Sequence, residues 1–317
     1  MRGLDSPFPQ LIDLLAIAMP YPKTLPSLAL ATCAAYPELD IDDRLLLAPL
    51  HELGMRPTIA VWNDPEVRWE DFDLVLIRST WDYTWHHEEF LEWAMQTASA
   101  TQLVNPLSVL AWSSDKTYLN DLEQAGVNIV PTKFIAPGQA WSFPDGEFVV
   151  KPTISAGSRD TFRLSASNHG AGDRVVRSLH DHNRTAMIQT YLHSVDVSAE
   201  TAMIFIEDRF SHAISKAALL PLDQSEQVFE RGLFLREKIS RTQARPEQLD
   251  VATAALRCAP SGWLYARVDL IDDAHGRPLV LELEMVEPSL FLGFHDAHEP
   301  APAEVLARRI VSRLGPS

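Results

Sequence analysis

Between Pro278 and Phe291 the chain reads PLVLELEMVEPSLF. Its first part has strand-like character, with Glu282 and Glu284 one position apart, and side chains at i and i+2 leave the same face of a strand. Both carboxylates are therefore directed into one space. Nine residues before this segment, Arg267-Val268-Asp269 lies inside another apolar run, YARVDLI, with base and acid again two apart. Three carboxylates on neighbouring strands, beside apolar positions, repel one another unless a cation lies between them. A hard divalent ion with oxygen ligands satisfies that need, most often Mg²⁺ with a bound nucleotide phosphate. An exposed hairpin with its acids on the wet face is the plainer alternative, and the rest of the chain weighs against it.

The 317 residues are 46% hydrophobic and 22% charged, which supports a large core and two or three domains. A formal net charge of −16 argues against nucleic acid or an anionic membrane as the main partner. No apolar run approaches a membrane span. Cys33 and Cys258 stand far apart without CxxC spacing or clustered histidines. Neither a disulfide framework nor a zinc site is indicated, and a reducing cytoplasm is expected. The N-terminal stretch does not read as a signal peptide, because Asp5 and Asp13 interrupt it.

Apolar runs and helical stretches alternate over roughly the first hundred residues, predicting an open α/β sheet. Strands are expected at 14–19, 56–61, 72–77 and 102–105, with helices at 27–36, 43–53 and 88–98. Ligands of such sheets sit beyond the carboxyl ends of strands, where the loops PYPKTLPS and RSTWDY fall. A helix over 113–125 leads into a small α+β unit, with strands at 128–134, 147–151, 163–165 and 186–191 and a helix at 172–179. Strands at 197–206 and 210–217, an irregular stretch at 222–242, a helix at 246–258, the acid-bearing strands and a helix at 302–314 complete the chain. The expected units are 1–110, 111–190 and 191–317.

Lysine is scarce, six in the chain, so its placement is informative. Lys116 opens a helix, Lys151 ends the strand EFVVK just before PTISAGSRDT, and Lys216 lies within AISKAALL. A lysine near buried surface needs an anion, and a polyphosphate supplies one. Each alone fits a snorkelling side chain equally well. The Ser155-Ala156-Gly157-Ser158 loop offers backbone N–H groups above Lys151, as phosphate-covering loops do. Gln189-Thr190-Tyr191-Leu192 follows a buried strand, where exposed backbone can meet an adenine edge.

In this order (Lys116, Lys151 before its Gly/Ser loop, MIQTYL, Glu200, RVDL, ELEMVEPS) the chain resembles the ATP-grasp superfamily over about residues 100–315. The preceding α/β unit resembles the pre-ATP-grasp domain. The resemblance implies two α+β lobes gripping ATP, with a carboxylate activated as an acyl phosphate that a nucleophile then attacks. It assigns Lys116 and Lys151 to the phosphates, Gly157 and Ser158 to the lid, and Gln189, Thr190, Tyr191 and Leu192 to the adenine hinge. Glu200 falls near the ribose, and Asp269, Glu282 and Glu284 become ligands of Mg²⁺, with two ions expected. Glu284 departs from the family pattern, which has Asn there. RSTWDY, VVKPTISAGSRDT and ELEMVEPSLF look most like the D-cycloserine synthetase group, implying ring closure of O-ureido-D-serine.

The chemistry then needs cations where anions gather, and Lys216 is expected to join Lys116 and Lys151. Arg267 suits a substrate carboxylate or acyl phosphate, and equally a salt bridge to Glu282 or Glu284. Arg78, Ser79, Thr80, Asp82 and Tyr83 suit an amino-acid head group, with Asp82 on its ammonium, or a capped turn packed by tryptophans. Ser289 either touches substrate or caps a turn. The expected partner is a small amino-acid-like substrate, with a homo-oligomer left open. An intermolecular ligase of the glutathione synthetase kind stays open, as does a nucleotide-binding regulatory protein without turnover.

Overall fold

Six consecutive buried residues, SLALAT, form β1 (Ser27–Thr32). They stand near the start of a computed structural model that describes residues 25–222, 229–235, 238–295 and 300–314. An Ala/Leu-rich run favours helix locally, which led to the expected helix at 27–36. A surface helix needs a polar face, however, and the only polar residues of this run are its two ends. Covered on both sides, the run becomes an interior strand of a parallel sheet instead. β1 lies between β2 (Arg56–Val61) and β3 (Leu74–Ile77), with β4 (Gln102–Val104) beyond β3, all parallel in the order β2-β1-β3-β4. Helices α1 (Leu47–Glu52) and α2 (His87–Ala100) connect these strands. The strand expected at 14–19 lies outside the described residues.

Two helices, α3 (Leu107–Ser113) and α4 (Tyr118–Gln124), replace the single helix expected at 113–125. Asp115 makes the break: its carboxylate accepts the Thr117 N–H at 2.9 Å, a local bond that competes with helix continuation. Lys116 is thereby presented from a turn rather than a helix. An antiparallel sheet follows, ordered β5-β8-β6-β7. It comprises β5 (Thr132–Ile135), β6 (Glu147–Pro152), β7 (Phe162–Ser165) and β8 (Ala186–Thr190). Helix α5 (His169–Asp181) buries Val176 and Leu179 against Phe148 and Val150 of β6.

The last sheet is antiparallel and holds the acids. After α6 (Ser194–Ser198) come β9 (Glu200–Ile206) and β10 (Arg209–Lys216), then a hairpin of β11 (Phe229–Glu230) and β12 (Phe234–Leu235). β13 (Ile239–Thr242), α7 (Pro246–Leu256), β14 (Tyr265–Asp272), β15 (Pro278–Glu284) and α8 (Pro302–Ser312) complete it. Its order is β13-β10-β9-β14-β15. The stretch expected to be irregular at 222–242 contains three short strands, β11, β12 and β13, among its described residues.

The parallel sheet rests on this last sheet. Leu28 and Leu30 share a core with Ile204, Leu264, Leu306 and Ile310. Asn105, fully buried, donates to the carbonyls of Tyr265 and Met285 at 2.9 and 2.8 Å and accepts the Leu264 N–H at 2.6 Å. Without it three buried backbone groups would lose a partner, at about 1–3 kcal/mol each. The Tyr118 hydroxyl accepts the Leu283 N–H at 2.7 Å, fixing α4 to β15.

Candidate active site

β14 and β15 pair with Arg267 opposite Glu284 and Asp269 opposite Glu282. A register shift after Asp269 leaves Leu281 unpaired, and Leu281 and Glu282 both face the same cavity. Arg267 forks the Asp269 carboxylate through Nε and Nη2, each at 2.9 Å, and Nη2 also reaches Glu284 Oε1 at 2.5 Å. Lys216 of β10 donates to Asp269 Oδ2 at 2.8 Å and pairs with Glu200, its neighbour across the strands.

The central sheet supplies the opposing cations. Lys151 donates to Glu282 Oε1 at 2.5 Å. Lys116 donates to the Ser155 carbonyl at 2.5 Å and stands 3.9 Å from Glu282 Oε2. Lys116, Lys151, Lys216 and Arg267 are each no more than 7% exposed. Cations so deeply buried are tolerable only because each has a carboxylate or carbonyl to meet.

Burial pushes the Glu282 carboxyl up, but the charges of Lys116 and Lys151 outweigh it and hold it down at about 2. Asp269 is likewise raised by burial and brought well below the usual range by Arg267 and Lys216. Glu284 goes the other way. Burial lifts it to about 7, with Asp269 and Glu282 adding to the lift and Arg267 opposing it. Burial and the charge of Glu284 lift Glu287 to about 8.

These groups line a cavity of about 550 Å³ that also takes in Ser155 to Ser158, Gln189 to Leu192, Trp81, Phe234 and Ser289. Gly157 has φ +61°, and a Cβ there would stand 2.5 Å from Phe234 Cβ and 2.7 Å from the Leu233 carbonyl. Glycine is what lets this loop lie against β12. At the hinge, Gln189 donates to Thr132 Oγ1 at 2.9 Å, and the Tyr191 N–H is given to the Glu147 carbonyl at 2.9 Å. Arg163 lies 3.6 Å over the Tyr191 ring. The Leu192 N–H has no acceptor among the described residues, so it is the open donor on this edge.

The RSTWDY loop behaves differently from expectation. Arg78, Ser79, Thr80, Asp82 and Tyr83 do not line the cavity, although Trp81 does. Arg78 is committed to Asp43 at 2.8 Å and the Pro288 carbonyl at 2.7 Å, and Ser79 to Asp43 at 2.7 Å. Asp82 accepts the Trp62 indole N–H at 2.8 Å, while Tyr83 packs on Phe90 and Thr80 is fully buried. The loop therefore clamps the site from behind, and Asp82 is not placed to meet a substrate ammonium there. Sequence reasoning missed Asp40, Asp42, Phe234 and Glu287, all on the cavity wall. Asp42 reaches it by accepting the N–H groups of Leu292 and Gly293, 250 residues away, which no local pattern signals. Glu287 lies beyond the end of β15, where strand alternation no longer applies.

Among the described residues no three His, Cys, Asp or Glu side chains form a metal cage. Mg²⁺ does not require one, since it keeps waters and phosphate oxygens and takes one or two carboxylates. Glu282 Oε2 and Glu284 Oε2 accept no hydrogen bond among the described residues, whereas both Asp269 oxygens are taken. Glu282 and Glu284 therefore fit a hard cation as they stand. Asp269 fits one only if Lys216 or Arg267 turns away.

The D-cycloserine synthetase DcsG N-terminal domain family matches residues 28–105. The chain is 34% identical over 299 residues to the cycloserine biosynthesis protein DcsG of Streptomyces lavendulae, covering 89% of this chain and 98% of that one. A crystal structure of D-cycloserine synthetase DcsG superposes with TM-score 0.79 at 32% identity, over 91% of this chain and 99% of that one. D-alanine–D-alanine ligase from Bacillus anthracis, complexed with ATP, shares the fold alone, with TM-score 0.61 and 12% identity over 91% of this chain and 97% of that one. No described helix is long and apolar enough to cross a membrane. With a relative this similar along nearly its whole length, and the same fold, the chain belongs to the D-cycloserine synthetase family of ATP-grasp ligases.

Proposed function

We propose that this ligase uses ATP to phosphorylate the carboxylate of O-ureido-D-serine, and that a nitrogen of the same molecule then closes the ring to D-cycloserine. The observation that carries the reading is the meeting of Lys116 and Lys151 at Glu282, across the cavity that holds the Gly157 loop and the open Leu192 N–H. Lysines held by a carboxylate are poised to exchange it for a phosphate. In this reading residues 1–110, 111–190 and 191–317 are the three units, and the nucleotide lies between the second and third.

Residues 155–158 cover the phosphates with backbone N–H groups. Leu192 receives the adenine edge, with Gln189, Thr190 and Tyr191 shaping its pocket and Glu200 near the ribose. Glu282 and Glu284, with Asp269 behind them, would hold Mg²⁺, which supplies charge neutralisation between the phosphate oxygens when bound. The substrate carboxylate oxygen attacks the γ-phosphorus and the bond to ADP breaks. The oxygen-bound nitrogen of the ureido group then attacks the acyl carbon, expelling phosphate and giving up its proton to solvent. Water hydrolyses the carbamoyl group from that nitrogen as carbon dioxide and ammonia, which leaves the D-cycloserine ring. Lys116, Lys151 and Lys216 offset the negative charge that gathers in the first step, and Arg267 steadies the acyl phosphate. Ser289, on the cavity wall, faces the small substrate.

The test is phosphate release from ATP–Mg²⁺ against O-ureido-D-serine, its L-enantiomer, and panels of D- and L-amino acids, with products identified by mass. The expected result is release that needs the D-ureido compound and gives D-cycloserine. Release only with pairs of amino acids would mean an intermolecular ligase, and ATP binding with no release on any panel would mean a protein without turnover.

A further inference from the structure

Seven acidic residues line the cavity: Asp40, Asp42, Glu200, Asp269, Glu282, Glu284 and Glu287. Six of them have a donor or cation. Asp40 accepts the Asp42 N–H, Asp42 the N–H groups of Leu292 and Gly293, and the other four are held by lysine or arginine. Glu287 is the exception: its carboxyl accepts no hydrogen bond and forms no ion pair among the described residues, yet the residue is only 5% exposed. The little surface it keeps opens onto the cavity, and a carboxyl so confined without a protein partner is costly, so the group calls for a ligand there.

The backbone around it is held from three sides. Trp81 donates its indole N–H to the Glu287 carbonyl at 3.2 Å, Arg78 donates to the Pro288 carbonyl at 2.7 Å, and Arg267 to the Ser289 carbonyl at 3.2 Å. Three consecutive carbonyls thus take donors from three different side chains, which fixes where the Glu287 side chain emerges. The rings of Trp81, Phe234, Phe291 and Phe294 line the same cavity and contribute apolar wall. A bare carboxyl on a rigid segment, in a space with aromatic walls, selects a small cation that brings its own N–H donors.

We propose that Glu287 is the specificity residue that receives the primary ammonium of the amino-acid substrate. The inference rests on the cyclo-ligase reading and supplies the ammonium contact that Asp82 is not placed to make. It is distinct from metal binding, which Glu282 and Glu284 serve. It also predicts a selectivity: a substrate without the amino group leaves Glu287 buried and unanswered.

The experiment compares the wild-type protein with Glu287→Gln and Glu287→Asp, using O-ureido-D-serine and its analogue lacking the α-amino group. In Glu287→Gln the KM for O-ureido-D-serine should rise about a hundredfold or more, as expected for losing one partner of a buried charge pair. The KM for ATP and the Mg²⁺ dependence should stay within about threefold, and Glu287→Asp should recover part of the loss. The wild-type preference for the amine-bearing substrate over its analogue should largely disappear in Glu287→Gln. An unchanged substrate KM in that variant, or a changed Mg²⁺ requirement with substrate KM intact, overturns the assignment. If the wild type itself fails to turn over O-ureido-D-serine, the fault lies with the cyclo-ligase reading, and ammonium selectivity is then read on whichever amino acid does release phosphate.

Discussion

Lys151 Nζ stands 2.5 Å from Glu282 Oε1, joining two sheets through residues 131 positions apart. In the structure Glu282 neutralises Lys151 and stands near Lys116. In the proposed reaction the lysines would take a triphosphate as a second anion and Glu282 would be released towards a cation.

Replacing Glu282 with Gln keeps the shape and removes the charge. Phosphate release should fall by at least about a hundredfold, the scale for losing one preorganised electrostatic contact. The circular dichroism spectrum should stay native. Full activity in this variant would remove Glu282 from the metal site.

If the lysines exchange a carboxylate for phosphate, ATP–Mg²⁺ stabilises the folded chain. At a hundred times its Kd a ligand contributes about 2.7 kcal/mol, a rise in Tm of roughly 4 °C for a chain this size. Lys151→Ala should abolish most of that rise, measured by differential scanning fluorimetry with and without nucleotide. A rise equal to that of the wild type would place the phosphates elsewhere.

Gly157 offers a separate check on the lid. An alanine there must adopt φ +61° and set its Cβ 2.5 Å from Phe234 Cβ. The positive φ alone costs about 1–2 kcal/mol. Trimming Phe234 does not rescue it, because the Leu233 carbonyl remains 2.7 Å from the added atom. We expect kcat/KM for ATP to fall about tenfold in Gly157→Ala, equally in the Phe234→Ala background. Wild-type kinetics would show that the loop does not touch the phosphates in this position.

The fold class and the acid–base cluster were legible because they rest on local patterns. Alternation put Glu282 and Glu284 on one face, and the position of Lys151 at a strand end aimed it at a cleft. What failed was decided by distant packing. SLALAT looks helical until it is known to be an inner strand between β2 and β3. Arg78 and Asp82 look like substrate ligands until Asp43 and Trp62 are brought beside them by the fold. Glu287 follows no period at all. Its exposure to the cavity depends on clamps from Trp81, Arg78 and Arg267, which come from two separate parts of the chain.

His212 gives the pH dependence. Its Nε2 donates to the carbonyls of Leu290 and Phe291, each at 3.0 Å, and burial lowers its pKa from 6.5 to about 4. The folded state therefore prefers the neutral ring, while the unfolded chain binds the proton more readily. That contribution is complete above pH 6.5 and is lost as pH falls through about 4, a total of about 3 kcal/mol. Phe291 lines the cavity, so the bonds at risk support the wall of the site. His212→Gln keeps a donor for the carbonyls but cannot titrate. Urea midpoints measured from pH 7 to pH 4 should decline more steeply in the wild type than in this variant, with the gap opening below pH 6.5. Parallel declines would mean that the ring is already protonated in the folded protein, or that other groups carry the acid sensitivity.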